Sequence, residues 1–154
     1  MKMSGVVNYS VEEVFNIFTK NAKRDFKDFK EENAIGCKIV KDITTGGKNP
    51  IRCTVEITDY IKNSKYQITT SNDYSKCVST YTFKPQINGT TLLTLHESQG
   101  NSKFLQSMTL IFQRILARQR FKAAFNNIIL SLNNELKRHH ENLERSTPKK
   151  EVDN

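Results

Sequence analysis

The stretch from Phe104 to Leu143 contains no Pro and no Gly, and its apolar residues recur every three or four positions, the period of a helix with one buried stripe. The stripe is not uniform. Phe104, Met108, Ile111, Phe112 and Ile115 share one face of the first turns, whereas Phe121, Phe125, Ile128, Leu132, Leu136 and Leu143 lie about a quarter-turn or more away on the same wheel. A straight rod would set Arg114 and Arg118 above the second stripe. A helix of that length would also run ~60 Å, while a globule of this chain length is only ~38 Å across. These features predict a break or kink around Ala117 to Arg120, or a first half that packs against something else. A gently curved helix whose two ends touch different parts of one domain is the simpler alternative.

Upstream of Gly100 the pattern is different. Residues 3 to 9 alternate as a first strand, and Ser10-Val11-Glu12-Glu13 is a capping box that starts a helix burying Val14, Phe15, Ile17 and Phe18. Asn21 is expected to cap a second short helix with Phe26 and Phe29 inward. From Gly36 the period falls to two. Cys37, Ile39 and Ile43 share a face, the loop TTGGKNP turns the chain, and Ile51, Cys53, Val55, Ile57 and Ile61 share the next strand's inner face. A two-residue turn at Asn63-Ser64 would oppose Ile61 to Tyr66 and Ile57 to Thr70, bringing Tyr66 and Ile68 to that face. After a turn at Asn72 to Ser75, Cys77, Ser79, Tyr81 and Phe83 follow inward. A three-residue Ile87-Asn88-Gly89 loop with Gly89 left-handed then aims Leu93, Leu95 and Glu97 inward, whereas a two-residue loop would aim Thr94 and His96 there. Ser102 is a candidate cap for the long helix. The resulting α+β order is strand, two short helices, five strands and a long helix. A six-stranded antiparallel sheet with one apolar face must be covered, and the long helix is the element large enough to do it.

At 154 residues the chain is long enough for one domain with a full core. The expected division is a folded unit at 1–143 and a disordered polar tail at 144–154. No apolar run approaches the ~20 residues of a membrane span, and the N-terminus lacks a signal-peptide core, so a cytoplasmic protein is expected. Cys37, Cys53 and Cys77 form no C-x-x-C pair and read as small buried hydrophobes, with no disulfide framework and no metal site implied. The net charge of +8 is concentrated late in the chain, where residues 101–150 carry ten Lys or Arg against three Glu. Such a face attracts anions or is simply solvated.

The segments YSVEEVF, Gly36 at the second strand, EITDYIKNSKY, STYTF and LTLHE, in this order of elements, resemble the START-like helix-grip superfamily, which also holds polyketide cyclases and plant-allergen-type lipid carriers. Within it the chain is most similar to an uncharacterised bacterial family, a domain of unknown function. The resemblance spans nearly the whole chain to about Leu143. It implies a curved sheet wrapped around the last helix, with a cavity between them that takes hydrophobic or amphipathic small molecules. It implies no cofactor and no particular ligand.

The inner face derived above would line such a cavity with Tyr66, Ser79, Tyr81, Phe83, Leu93, Leu95 and Glu97 from the sheet and Phe125, Ile128 and Leu132 from the helix. An empty apolar void of ~300 Å³ would cost about 7 kcal/mol, so ligand, water or collapsed Phe and Tyr side chains must fill it. Glu97 needs a hydrogen-bond partner there, and Tyr81 is a candidate donor. His96 and Glu97 point to opposite faces and make no acid/base dyad. No phosphate loop, zinc motif or nucleophile elbow is present. The expected function is therefore non-catalytic binding of a hydrophobic or amphipathic small molecule. Two alternatives remain open. The basic patch Arg114, Arg118, Arg120 and Lys122 would engage nucleic acid or another anion, or Phe104, Met108, Ile111, Phe112 and Ile115 would bury against a second copy. The absence of interleaved exposed aromatics and of a groove-reading motif argues against nucleic acid. A cyclase-like enzyme that mainly positions a reactive substrate is the second alternative.

Overall fold

The computed structural model describes residues 1–43, 50–73, 75–100 and 109–146, with 109–116 as backbone only. Strand β1 (Lys2–Val7) leads into helix α1 (Val11–Asp25), followed by a 3-10 turn at Glu31–Asn33. Strands β2 (Lys38–Ile43), β3 (Ile51–Ile61), β4 (Lys65–Ser71), β5 (Lys76–Pro85) and β6 (Thr91–Gln99) precede helix α2 (Thr109–Ser146). The strands form one antiparallel sheet in the order β1-β6-β5-β4-β3-β2. The sheet is curved and open. Helix α2 packs along its β1 edge, and α1 packs against β5 and α2.

The capping box forms as the sequence dictates. The Ser10 hydroxyl accepts from the Glu13 backbone N–H, and the Glu13 carboxylate accepts in return from the Ser10 backbone N–H at 3.1 Å. The second helix does not start at Asn21. Helix α1 runs through that position to Asp25, because Ala22 belongs to its buried face and its carbonyl accepts from the Phe26 N–H. Phe26 and Phe29 are nevertheless buried.

The β3–β4 connection also differs from expectation. The loop has three residues, with Asn63 left-handed at φ 57°, and a bulge at Thr58 separates the pairs Ile57↔Ile68 and Asp59↔Gln67. One added residue in the loop is answered by one added residue in the strand, so Tyr66 and Ile68 still face inward. The change falls on β3, where Tyr60 replaces Ile61 on the inner face and Ile61 is exposed. The β5–β6 hairpin follows the sequence reading. Gln86 and Thr90 close a three-residue loop, Gly89 has φ 75°, and Phe83 pairs with Leu93. Leu93 and Leu95 are buried in consequence.

Helix α2 is one unbroken element, and the predicted interruption at Ala117 to Arg120 is absent. Those four residues are all exposed. They separate the undescribed side chains before them from the stripe of Phe121, Phe125, Leu132 and Leu136, which is buried. At ~57 Å the helix is longer than the sheet it covers. Its last turns run past the core, which leaves Leu143 exposed rather than buried. The helix continues to Ser146, three residues beyond the expected domain end. The proposed cap Ser102, the side chains of Phe104, Met108, Ile111, Phe112, Arg114 and Ile115, the loop 44–49 and residues 147–154 lie outside the described residues.

Gly5 explains how α2 comes so close to the sheet. A Cβ there would stand 3.0 Å from Ile129 Cγ1 and 3.2 Å from Phe125 Cε1, a space no other residue leaves open. Thr91, fully buried opposite Val7, donates its hydroxyl to the Tyr9 carbonyl at 2.8 Å and anchors the turn between β1 and α1.

Candidate functional site

Cross-strand pairing lays the inner-face side chains out in rows. One row runs Met3, Leu95, Tyr81, Tyr66 and Tyr60 across five strands, and the next runs Glu97, Ser79, Ile68 and Ile57. Helix α2 covers the β1 end of these rows. The tyrosine end is covered by α1, whose Phe15 and Phe18 insert among the rings. Phe18 lies 5.0 Å from Tyr81, 5.8 Å from Tyr66 and 4.9 Å from Phe83, centroid to centroid, each time edge-on. Phe15 meets Tyr60 and Phe83 in the same way. Such edge-to-face pairs add about 0.5–1.5 kcal/mol each beyond their buried area.

This aromatic cluster occupies part of the concave face along which the sequence placed a cavity. Tyr66, Phe83, Leu93, Leu95 and Phe125 are buried in the core. Beside it a recess of about 360 Å³ stays open between the two helices, lined by Ile17, Phe18 and Asn21 of α1, by Asn127, Ile128, Ser131, Leu132 and Glu135 of α2, and by Tyr81 on the sheet. Of the ten expected lining residues it brings together Tyr81, Ile128 and Leu132. Outward it meets a wider groove of about 800 Å³, which shares Ile17, Ser131 and Glu135. The α1 contribution was missed because the sheet and α2 alone were taken as the walls. A signal for the rim was present, since Asn127, Ser131 and Glu135 follow at intervals of four beside the apolar pair Ile128 and Leu132.

Ser79 and Glu97 sit elsewhere. They pair directly across β5 and β6, and the Ser79 hydroxyl donates to Glu97 Oε1 at 3.2 Å, so serine rather than Tyr81 supplies the carboxylate's partner. Burial, with the Glu97 charge adding to it, pushes the Tyr81 phenol up to about 12. Burial pushes Tyr66 higher still, helped by the Asp25 charge. Both phenols are neutral at physiological pH and offer hydrogen bonds rather than charge. Among the described residues no three His, Cys, Asp or Glu side chains are placed to share a metal ion.

The basic residues divide by position. Arg118 and Lys122, one turn apart, border a second recess of about 560 Å³ with Met1, Lys2, Met3 and Phe121. Arg120 is exposed but does not line it. Sequence reasoning also missed a contact between the helices. His140 Nε2 lies 2.6 Å from Glu13 Oε1, and its ring stacks at a tilt on Tyr9, 5.2 Å between centroids. Burial works to raise the Glu13 carboxyl, but hydrogen bonds from Ser10 and His140 outweigh it and hold the group below its ordinary value.

A curved antiparallel sheet closed by a long C-terminal helix, with a shorter helix after the first strand, defines a helix-grip protein. The chain belongs to the family described as Domain of unknown function (DUF3284), whose family model matches residues 1–118. Among solved structures it is similar to a protein of unknown function, SA2116, from Staphylococcus aureus, at 12% identity and a TM-score of 0.60 over 89% of this chain and 94% of that one. It is also similar to the di-domain ARO/CYC StfQ from the steffimycin biosynthetic pathway, at 11% identity and a TM-score of 0.58 over 92% of this chain and 51% of that one. A third is Ara h 8.0201, at 9% identity and a TM-score of 0.55 over 86% and 95%. At these identities the likeness is one of fold. No curated protein matches the chain. No helix among the described residues is long and apolar enough to cross a membrane.

Proposed function

We propose that the protein is a START-like carrier that binds a small amphipathic molecule, without transforming it, in the recess between α1 and α2. The observation that carries this reading is the lining itself: Ile17, Phe18, Ile128 and Leu132 offer an apolar wall, and Asn21, Asn127, Ser131, Glu135 and the neutral Tyr81 phenol offer a polar border. A mostly apolar concavity with a few convergent polar groups is the usual form of a small-molecule site, and about 300–1,000 Å³ its usual size. The ligand's apolar body would lie against Phe18 and Leu132, with its polar end toward Asn127 and Ser131. Binding without catalysis fits the titratable groups that border the recess. Tyr81 is held neutral, and Glu135 stands exposed on the rim.

Native mass spectrometry of the protein made in cells tests the proposal. The parent is expected to carry a bound small molecule, and the Ile128→Phe variant, whose larger side chain occupies the recess, is expected to be bare. A bare parent, or equal occupancy in both proteins, contradicts it.

A further inference from the structure

We propose that the recess between the start of β1 and α2 is a second, separate site, which takes a small amphiphile with a phosphate or carboxylate head. Phe121 and Met3 supply an apolar floor, and Lys2, Arg118 and Lys122 supply a rim with no carboxylate among the described lining residues. The wider groove between the helices differs, since Glu13 and Glu135 there oppose Lys20 and Arg138. A concave surface lined by one sign of charge concentrates its field and draws counter-charge.

The helix geometry says why the cations converge. Arg118 and Lys122 are one turn apart, and Phe121, buried against the core, fixes the rotation of that turn. Like charges at this spacing oppose each other by a few tenths of a kcal/mol. Among the described residues no ion pair is formed by Lys2, Arg118 or Lys122, so all three charges are open to an outside anion. An anionic head removes the repulsion, and the guanidinium of Arg118 suits a two-oxygen acceptor. The apolar floor selects an anion with a hydrocarbon portion over a bare one.

The test is a backbone-amide NMR titration of the full chain with decyl phosphate, in parallel with decanol and inorganic phosphate. Decyl phosphate should shift Lys2, Met3, Phe121 and Lys122 saturably. The double variant Arg118→Glu, Lys122→Glu, altered only at exposed positions, should weaken this binding about tenfold or more, as expected when charge-assisted hydrogen bonds are lost. Ile128→Phe should leave it unchanged, which separates this site from the one between the helices. The inference is overturned if those amides do not move, if charge reversal has no effect, or if inorganic phosphate binds as tightly as decyl phosphate. A membrane source is distinguished with phosphatidylcholine vesicles containing phosphatidylglycerol. Cosedimentation of the parent without any response to free decyl phosphate would also overturn the inference, by making the surface rather than the recess responsible.

Discussion

Phe18 of α1 meets Tyr81 of β5 edge-on, ring centroids 5.0 Å apart, closer than the 6.4 Å between Tyr81 and its strand neighbour Tyr66. The short helix, not the long one, therefore fills the tyrosine end of the concave face and decides how much of it stays open. Phe18 borders both the cluster and the recess.

Removing that ring should loosen the molecule and enlarge the recess together. Phe18→Ala is expected to cost about 3 kcal/mol, the low end for a buried Phe→Ala change because one side of the ring is already open. Urea unfolding gives the cost. A change below about 1 kcal/mol, well under the range for such truncations, would mean that the cluster is not part of the core.

Gly5 should tolerate no side chain. Gly5→Val is expected to destabilise by about 1–3 kcal/mol through overpacking against Ile129 and Phe125. Thermal and urea unfolding measure this. Unchanged stability would show that α2 does not lie so close to β1.

Glu13 links acid stability to the junction of the helices. Its carboxyl is held below the ordinary value of 4.5, so the stability it contributes is complete above that value and is lost as pH falls through the lower folded value. Glu13→Gln keeps the reach back to the Ser10 N–H but removes the charge. It should be less stable than the parent at pH 7, with the difference closing at strongly acidic pH. A difference that does not change with pH would contradict the ionic contribution.

The phenols make the alkaline counterpart. Tyr60, Tyr66 and Tyr81 are all raised above 10.0, chiefly by burial. Their neutral forms stabilise the fold fully below that value, and the contribution is lost as pH rises through the folded values. Ultraviolet titration should show phenols ionising late, only as the protein unfolds. Tyr81→Phe should remove one late-titrating group. If the tyrosines titrate together near 10, the cluster is not buried.

The elements of the fold were legible where one period or one turn governed the outcome. Alternation and the left-handed Gly89 set the β5–β6 register, and Ser10 with Glu13 set the start of α1. Legibility failed where two local changes cancelled, as with the bulge at Thr58 and the longer loop at Asn63, since alternation alone does not reveal an inserted residue. The change of apolar face left both a break near Ala117 to Arg120 and a continuous curved helix open, because a helical wheel shows where the stripe moves and not whether the backbone bends; α2 is continuous there, and those four residues are exposed. Of the candidate site, Tyr81, Ile128 and Leu132 were legible as inward residues of β5 and α2. The share of Phe18 and Asn21 was not, because it depends on where α1 lies over the sheet, and no residue pattern within α1 states that. The His140–Glu13 contact spans most of the chain and is invisible for the same reason.

The central claim is that the gap between α1 and α2 receives an amphipathic molecule against Phe18 and Tyr81, and a methyl-labelled NMR titration with decanol tests it most directly. The account predicts saturable shifts at Ile17, Ile128 and Leu132, with the buried methyls of Ile57 and Leu93 unmoved, and loss of the response in Ile128→Phe. Shifts confined to exposed methyls such as those of Ile35 and Val40, or a response that survives Ile128→Phe unchanged, would contradict it.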